Sequence, residues 1–255
     1  DDKGREVIGF EARRQWQLNP HNTVYGAKRL IGRQFDEGFI QSLRRYFTYE
    51  LVEGVGGAVE VVTGGASVGQ GFETAMAQIC ADALGVDYRR IRVIHGQTDR
   101  IDYGIGAHAS RASVLTGNAV NVTALKVREK ALSVAAELLQ APTEALDIVD
   151  GVVIVADNPS GPSVTLGEVA QALEPESKAR GARTPYLSAE EWFYTDHQTY
   201  SYGIQFAVVA VDGETGAVKI ERFFIAYDIG RAINPKMVEG QLIGGLAQGI
   251  GGTLF

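Results

Sequence analysis

Cysteine is nearly missing from the 255 residues: Cys80 stands alone. One thiol excludes an internal disulfide framework, any C-x-x-C redox or metal motif, and an iron–sulfur cluster held by this chain by itself. It fits a reducing cytoplasm. Basic charge is also short. With 24 Lys and Arg against 31 Asp and Glu the formal charge is −7, which argues against a general polyanion binder such as a nucleic-acid protein, whose footprint is usually a basic stripe. No run of about 18 apolar residues occurs, as a membrane span would need, and the opening DDKGREVIGFEARRQ does not have the layout of a signal peptide. The first residue is not Met, so a piece upstream of it is expected. Prolines number only seven, whereas glycines number 31. The 45% hydrophobic and 22% charged residues make the balance of a globular protein, able to bury a sizeable core as one large domain or two small ones.

The glycines concentrate where chemistry is expected. Residues 61–74, VVTGGASVGQGFET, run from a β-branched strand through a glycine-rich turn into an amphipathic pattern. Such a turn exposes backbone N–H groups to which an anionic cofactor could bind. Gln70, between Gly69 and Gly71, adds an amide that both donates and accepts. Alone, the turn is better read as a plain structural one. A Rossmann dinucleotide site is disfavoured, since Gly69–Gln70–Gly71–Phe72–Glu73–Thr74 lacks the third glycine and IRVIH ends in His95–Gly96 without an acidic ribose partner.

Local patterns place the elements of an α+β fold with mixed sheets and packed helices. Thr23 caps a short helix that Gly32 stops, and FTYELVE and AVEVVT flank GVGG as a hairpin. Met76, Ile79, Cys80, Ala83 and Leu84 recur at helical spacing, Gly85 ends that helix, and IRVIH (91–95) is a buried strand, giving a strand, helix, strand unit. Residues 112–140 are helix-compatible. VVIV is a short strand, Thr165 to Glu168 read as a capping box, and 174–200 are polar and loop-rich. The runs at 204–211 and 217–225 face each other across Gly213–Glu214–Thr215–Gly216 as an antiparallel hairpin, and Asn234–Pro235 opens a helix rich in small residues.

Three glycine-associated clusters read jointly are more specific than any one: Gly69–Gln70–Gly71, then GIGAHASR (104–111), then NPKMVEGQLIGGLAQ (234–248). Their residues and order resemble the molybdenum hydroxylases, the family of xanthine, aldehyde and carbon monoxide dehydrogenases, in the cofactor-binding part of the large subunit. The resemblance covers residues 57–255. It implies an incomplete molybdopterin-binding domain of that type, in which Gly69, Gln70 and Gly71 approach the pterin, His108, Ala109 and Ser110 make backbone and hydroxyl contacts beside Arg111, and Gln241 supplies a second amide. The implied cofactor is molybdopterin, with the cytosine dinucleotide form among the options. The implied partners are an iron–sulfur subunit and a flavin subunit, and the implied substrate is an aldehyde, heterocycle or related small molecule. No catalytic residue and no metal ligand is assignable. The family's upstream glycine–phenylalanine cluster has no counterpart before residue 61, and its catalytic glutamate is expected beyond Phe255, so the chain alone is expected to be inactive.

Residues 1–60 point elsewhere. EARRQWQLNP, NPHNTVYGAKRLIGRQFDE and YELVEGVGGAVEV resemble the nucleotide-binding domain of the seventy-kilodalton heat-shock chaperones, and Lys28 falls on that family's catalytic lysine with Arg29 beside it. The phosphate loop of that family is absent, so Lys28 is not expected to serve ATP hydrolysis. Lys28 and Arg29 are read instead as a solvated helix face. The two resemblances meet near GGAVEV, which suggests a mosaic of a chaperone-like segment (1–56) and a molybdopterin-binding fragment (57–255). The remaining readings are a chaperone-related nucleotide-binding module and a noncatalytic scaffold. Ser110 has no G-x-S-x-G elbow and no evident base, which argues against hydrolase chemistry. His108 either lines a pocket or satisfies a local hydrogen bond. Asp228 terminates a strand, and Cys80 packs in the core.

Overall fold

The computed structural model describes residues 59–255 except 102, 105 and 198. The helix capped by Thr23, the strand FTYELVE, Lys28, Arg29 and the segment 1–56 lie outside the described residues.

Strand β1 (Val59–Thr63) leads through the glycine turn into helix α1 (Phe72–Leu84), and the chain returns as β2 (Ile91–His95). β1 and β2 pair in parallel, Val59 opposite Ile91 and Thr63 opposite His95. A parallel pair requires a crossover element, and α1 supplies it. Its buried residues Phe72, Met76, Cys80 and Leu84 are spaced by four, so they form one stripe along the helix. Gly85 ends α1 as expected from the sequence, with its N–H donating to the Ala81 carbonyl.

A stretch of π-helix, Arg111–Thr116, runs without interruption into α2 (Gly117–Leu139). α2 serves two cores with its two halves. Val120 and Ala124 pack with Phe72, Met76, Cys80 and Leu84 of α1. Ala131, Val134 and Ala135 pack against the sheet of β3 (Leu146–Val149), β4 (Val152–Val155) and β5 (Asn158–Thr165), together with Val169 from the middle of the next helix and Leu173 just after it. Between the halves, the Arg128 guanidinium donates to the Leu84 carbonyl at 3.2 Å and pairs with Asp147. The short helix α3 (Leu166–Ala172) starts with a complete capping box: the Thr165 hydroxyl accepts from the Glu168 N–H, and the Glu168 carboxylate accepts from the Thr165 N–H.

The expected hairpin is present and longer than its sequence core. β6 (Tyr202–Val211) pairs antiparallel with β7 (Val218–Asp228), with a bulge between Val208 and Val209. The Asp212 carboxylate closes the turn by accepting from the Glu214 and Thr215 N–H groups at 2.9 and 2.8 Å. Asp228 ends β7 and accepts from the Gly230 N–H at 3.0 Å. Helix α4 (Pro235–Leu254) follows, capped by Asn234, whose side chain accepts from the Met237 N–H, with Pro235 at its first position. α4 contains no buried residue. No helix among the described residues is long and apolar enough to cross a membrane.

Candidate functional site

The start of the glycine-rich turn, at Gly64, meets the start of the second cluster, at Gly104, backbone to backbone. A Cβ on Gly64 would stand 2.1 Å from the Tyr103 carbonyl oxygen, and one on Gly104 would stand 2.5 Å from the Gly64 carbonyl oxygen. Only glycine permits that approach. The third cluster touches the first at the entry to α1: Gly71 has φ of +80°, and a Cβ there would lie 2.7 Å from the Met237 side chain. Asn234, the cap of α4, also donates to the Gln78 side-chain carbonyl of α1 at 3.0 Å. Segments far apart in sequence therefore border the same turn.

The individual side chains are disposed differently. Gln70 is folded onto its own loop, where its amide oxygen accepts from the Val68 N–H at 2.7 Å and its amide nitrogen donates to the Ala66 carbonyl at 3.1 Å. Gly69 and Gly71 are both left-handed, and a Cβ on Gly69 would meet nothing. Ala109 and Ser110 hold positive φ values of 53° and 59°, a conformation that non-glycine residues rarely adopt, and the π-helix starts directly after them. His108 is exposed, with its Nε2 3.2 Å from an Arg111 guanidinium nitrogen. Gln241 is exposed on α4. Among the described residues no hydrogen bond links Gln70, Ser110 and Gln241 to one another.

One polar network at the turn is not singled out by the sequence. The Glu73 carboxylate accepts from the Ser67 hydroxyl at 2.8 Å and lies 2.9 Å from the His95 Nε2, while Phe72 meets the His95 ring edge-on. Glu73's own N–H and then the His95 ring, with the Ser67 hydroxyl adding to them, hold its carboxyl below the usual range against the opposing effect of burial. These residues are 6 and 22 positions apart, so only the strand, helix, strand geometry reveals the network.

The residues fit an anionic, hydrogen-bonding group better than a bare metal ion. Among the described residues no group of three His, Cys, Asp or Glu side chains could hold a metal. The start of α1 has no side-chain cap from Gly71, and of its first-turn N–H groups that of Glu73 is engaged by its own carboxylate. A shallow hollow of about 330 Å³ lies along the later part of α1, lined by Gln78, Asp82, Asp87, Tyr88, Asp150 and Ile233, and includes none of the three clusters' glycines.

The family model for the molybdopterin cofactor-binding domain matches residues 52–255. The chain belongs to that family. A second family model, Hsp70 protein, matches residues 1–85 and so overlaps the first. Among curated relatives, the gamma subunit of the 6-hydroxypseudooxynicotine dehydrogenase complex of Paenarthrobacter nicotinovorans is 38% identical over 78% of this chain and 25% of its own length. The carbon monoxide dehydrogenase large chain of Hydrogenophaga pseudoflava is 35% identical over 71% of this chain and 22% of its own. Solved structures agree. Carbon monoxide dehydrogenase from Oligotropha carboxidovorans superimposes with a TM-score of 0.68 at 34% identity, covering 74% of this chain and 23% of that one. Quinoline 2-oxidoreductase from Pseudomonas putida 86 gives 0.66 at 37% identity, covering 76% and 25%. The chain thus spans about a quarter of the length of these relatives, and its mixed helices and sheets are those of molybdenum hydroxylase large subunits.

Proposed function

We propose that this chain is the molybdopterin-binding part of a molybdenum-dependent oxidoreductase, and that its three glycine clusters together form the cofactor's seat. The observation that carries this is the close approach of Gly64 to Tyr103 and Gly104, with Met237 against Gly71. Backbone packed this closely brings small residues and main-chain polar groups to one turn, which suits a flat, phosphate-bearing ligand. In this reading Gly69, Gln70, Gly71, His108, Ala109, Ser110, Arg111 and Gln241 hold the pterin by amide, hydroxyl and backbone hydrogen bonds, each worth about 0.5–1.5 kcal/mol net. Gln70 would have to exchange its bonds to Val68 and Ala66 for bonds to the ligand, or hold the loop that does so.

The bound group would supply a metal centre that oxidises a small substrate, an aldehyde or a heterocycle, and the cytosine dinucleotide form is the variant proposed. Electrons would leave through iron–sulfur and flavin subunits, since the one cysteine cannot hold a cluster. A cytoplasmic setting is part of the same proposal, supported by the low cysteine count. The chain by itself is proposed to be inactive. The test is to produce the chain in a host that makes the cofactor and to measure molybdenum and released pterin per chain. The expected outcome is bound pterin in the parent, and a several-fold loss in Gln70→Ala and Gln241→Ala but not in Glu129→Ala, an exposed site on α2. A parent chain devoid of pterin would leave a noncatalytic scaffold as the better reading.

The Hsp70 match over residues 1–85 favours one further reading, a nucleotide-binding module built on residues 11–60. Calorimetric titration with ATP tests it. Tight binding, with hydrolysis abolished by Lys28→Ala, would establish that reading; no hydrolysis is expected.

A further inference from the structure

We propose that Glu73 is a positioning residue: it pins the glycine turn to the end of β2 and thereby fixes the shape that the turn offers to a ligand. The inference rests on the molybdopterin reading for the ligand, not for the pin. Both oxygens of Glu73 are engaged, one by the Ser67 hydroxyl within the turn and the other by the His95 ring at the last residue of β2. Each oxygen thus has a partner on a different element, which fixes the direction of the carboxylate. Ser67 donates to Glu73 and not to His95, so the three side chains do not form an activated nucleophile.

Gly64 packs on Tyr103 and Gly104 at one end of the turn and Gly71 on Met237 at the other, and between them fewer contacts hold it. Val68 and Gly69 are exposed, and the turn's remaining side-chain bonds come from Gln70 to Val68 and Ala66 and from Thr63 to the Gly65 N–H. Gln70 staples the turn to itself, whereas Glu73 ties its Ser67 by hydrogen bonds to the end of β2. The His95 end of the tie is fixed twice, by the pairing of His95 with Thr63 in the sheet and by the edge-on contact with Phe72 in the core. A carboxylate at this place converts a rigid strand end into a fixed position for Ser67, three residues before Gln70.

The experiment compares the full chain with Glu73→Ala, Glu73→Gln, His95→Ala and the remote Glu129→Ala. It reads amide hydrogen exchange over residues 64–71, thermal midpoint, and pterin retained after production in a cofactor-making host. Glu73→Ala and His95→Ala are expected to speed exchange in the turn about tenfold, with midpoints only a few degrees below the parent. Glu73→Gln keeps an acceptor for Ser67 and a donor for His95, and is expected to restore most of the protection. Unchanged exchange in Glu73→Ala overturns the pin, and so does an acceleration spread evenly over the chain or undiminished in Glu73→Gln. If the parent holds pterin, Glu73→Ala is expected to lose it several-fold, and equal retention overturns the pin's role toward the ligand. If the parent holds none, the molybdopterin reading fails while the exchange result still decides the pin.

Discussion

At Gly64 the missing side chain is itself the structural feature, because the Tyr103 carbonyl occupies the place where a Cβ would be. The obstacle is backbone, which cannot rotate away as a side chain can. Gly64→Ala is therefore expected to push the start of the glycine turn away from Tyr103 and Gly104 and to destabilise the chain by about 1–3 kcal/mol, read as a lower urea midpoint. Cys80 shows the opposite situation, a side chain that is fully enclosed. Burial pushes its thiol up to about 11 from 9. The folded chain thus holds the thiol proton more tightly than the unfolded chain does. That contribution to stability is complete below pH 9 and is lost as the pH rises from about 9 to about 11. Iodoacetamide at pH 8 is expected to leave Cys80 unlabelled in the native chain and to label it in urea. Cys80→Ser is expected to lose part of the parent's fall in melting temperature between pH 9 and 11; an identical fall in both proteins would refute the assignment.

Six glycines lie in α4, at 240, 244, 245, 249, 251 and 252, and a Cβ on any of them would meet nothing within 4 Å. Such a helix carries the backbone entropy cost of glycine without a close contact to offset it. Gly249→Ala is expected to strengthen α4 by about 0.5–1 kcal/mol, seen as more helical circular dichroism and slower amide exchange in residues 245–254. Elements governed by local pattern are the ones the sequence discloses: the four-residue spacing in α1, the capping box at Thr165, the turn between β6 and β7, and the cap at Asn234. Two strands escape that reading. β5 contains Pro159 and Pro162, which lower strand propensity, and it lies at the edge of its sheet beside β4, where proline is tolerated. β3 is followed by Asp150–Gly151, both with positive φ, a hairpin signal that the sequence does carry. In the site, cluster order and glycine content are legible, since they are properties of the chain. The Gln70 amide turned onto its own loop, the left-handed pair Ala109–Ser110 and the Glu73 tie are not, because each depends on which element the fold brings alongside.

The described molecule divides its apolar surface unequally. Residues 59–173 bury two cores on either half of α2, whereas the β6–β7 hairpin leaves its large side chains open to solvent. Tyr202, Ile204 and Phe206 alternate along β6 and so share one face, and they are 69%, 68% and 59% exposed. Phe224 stands opposite Phe206 on that face, with ring centroids 6.2 Å apart, and is 52% exposed. A two-stranded sheet is marginal on its own and has two open edges, so an apolar stripe here both weakens the hairpin and favours association. The chain is therefore expected to bind the dye ANS and to sediment with a concentration-dependent mass. Replacing Ile204 and Phe206 together by Thr keeps β-branched residues in β6 while removing most of the stripe. That double variant is expected to bind several-fold less dye and to sediment as a smaller species, with β-sheet circular dichroism preserved. Dye binding that persists unchanged in the double variant would place the association surface elsewhere and sink the claim for this face.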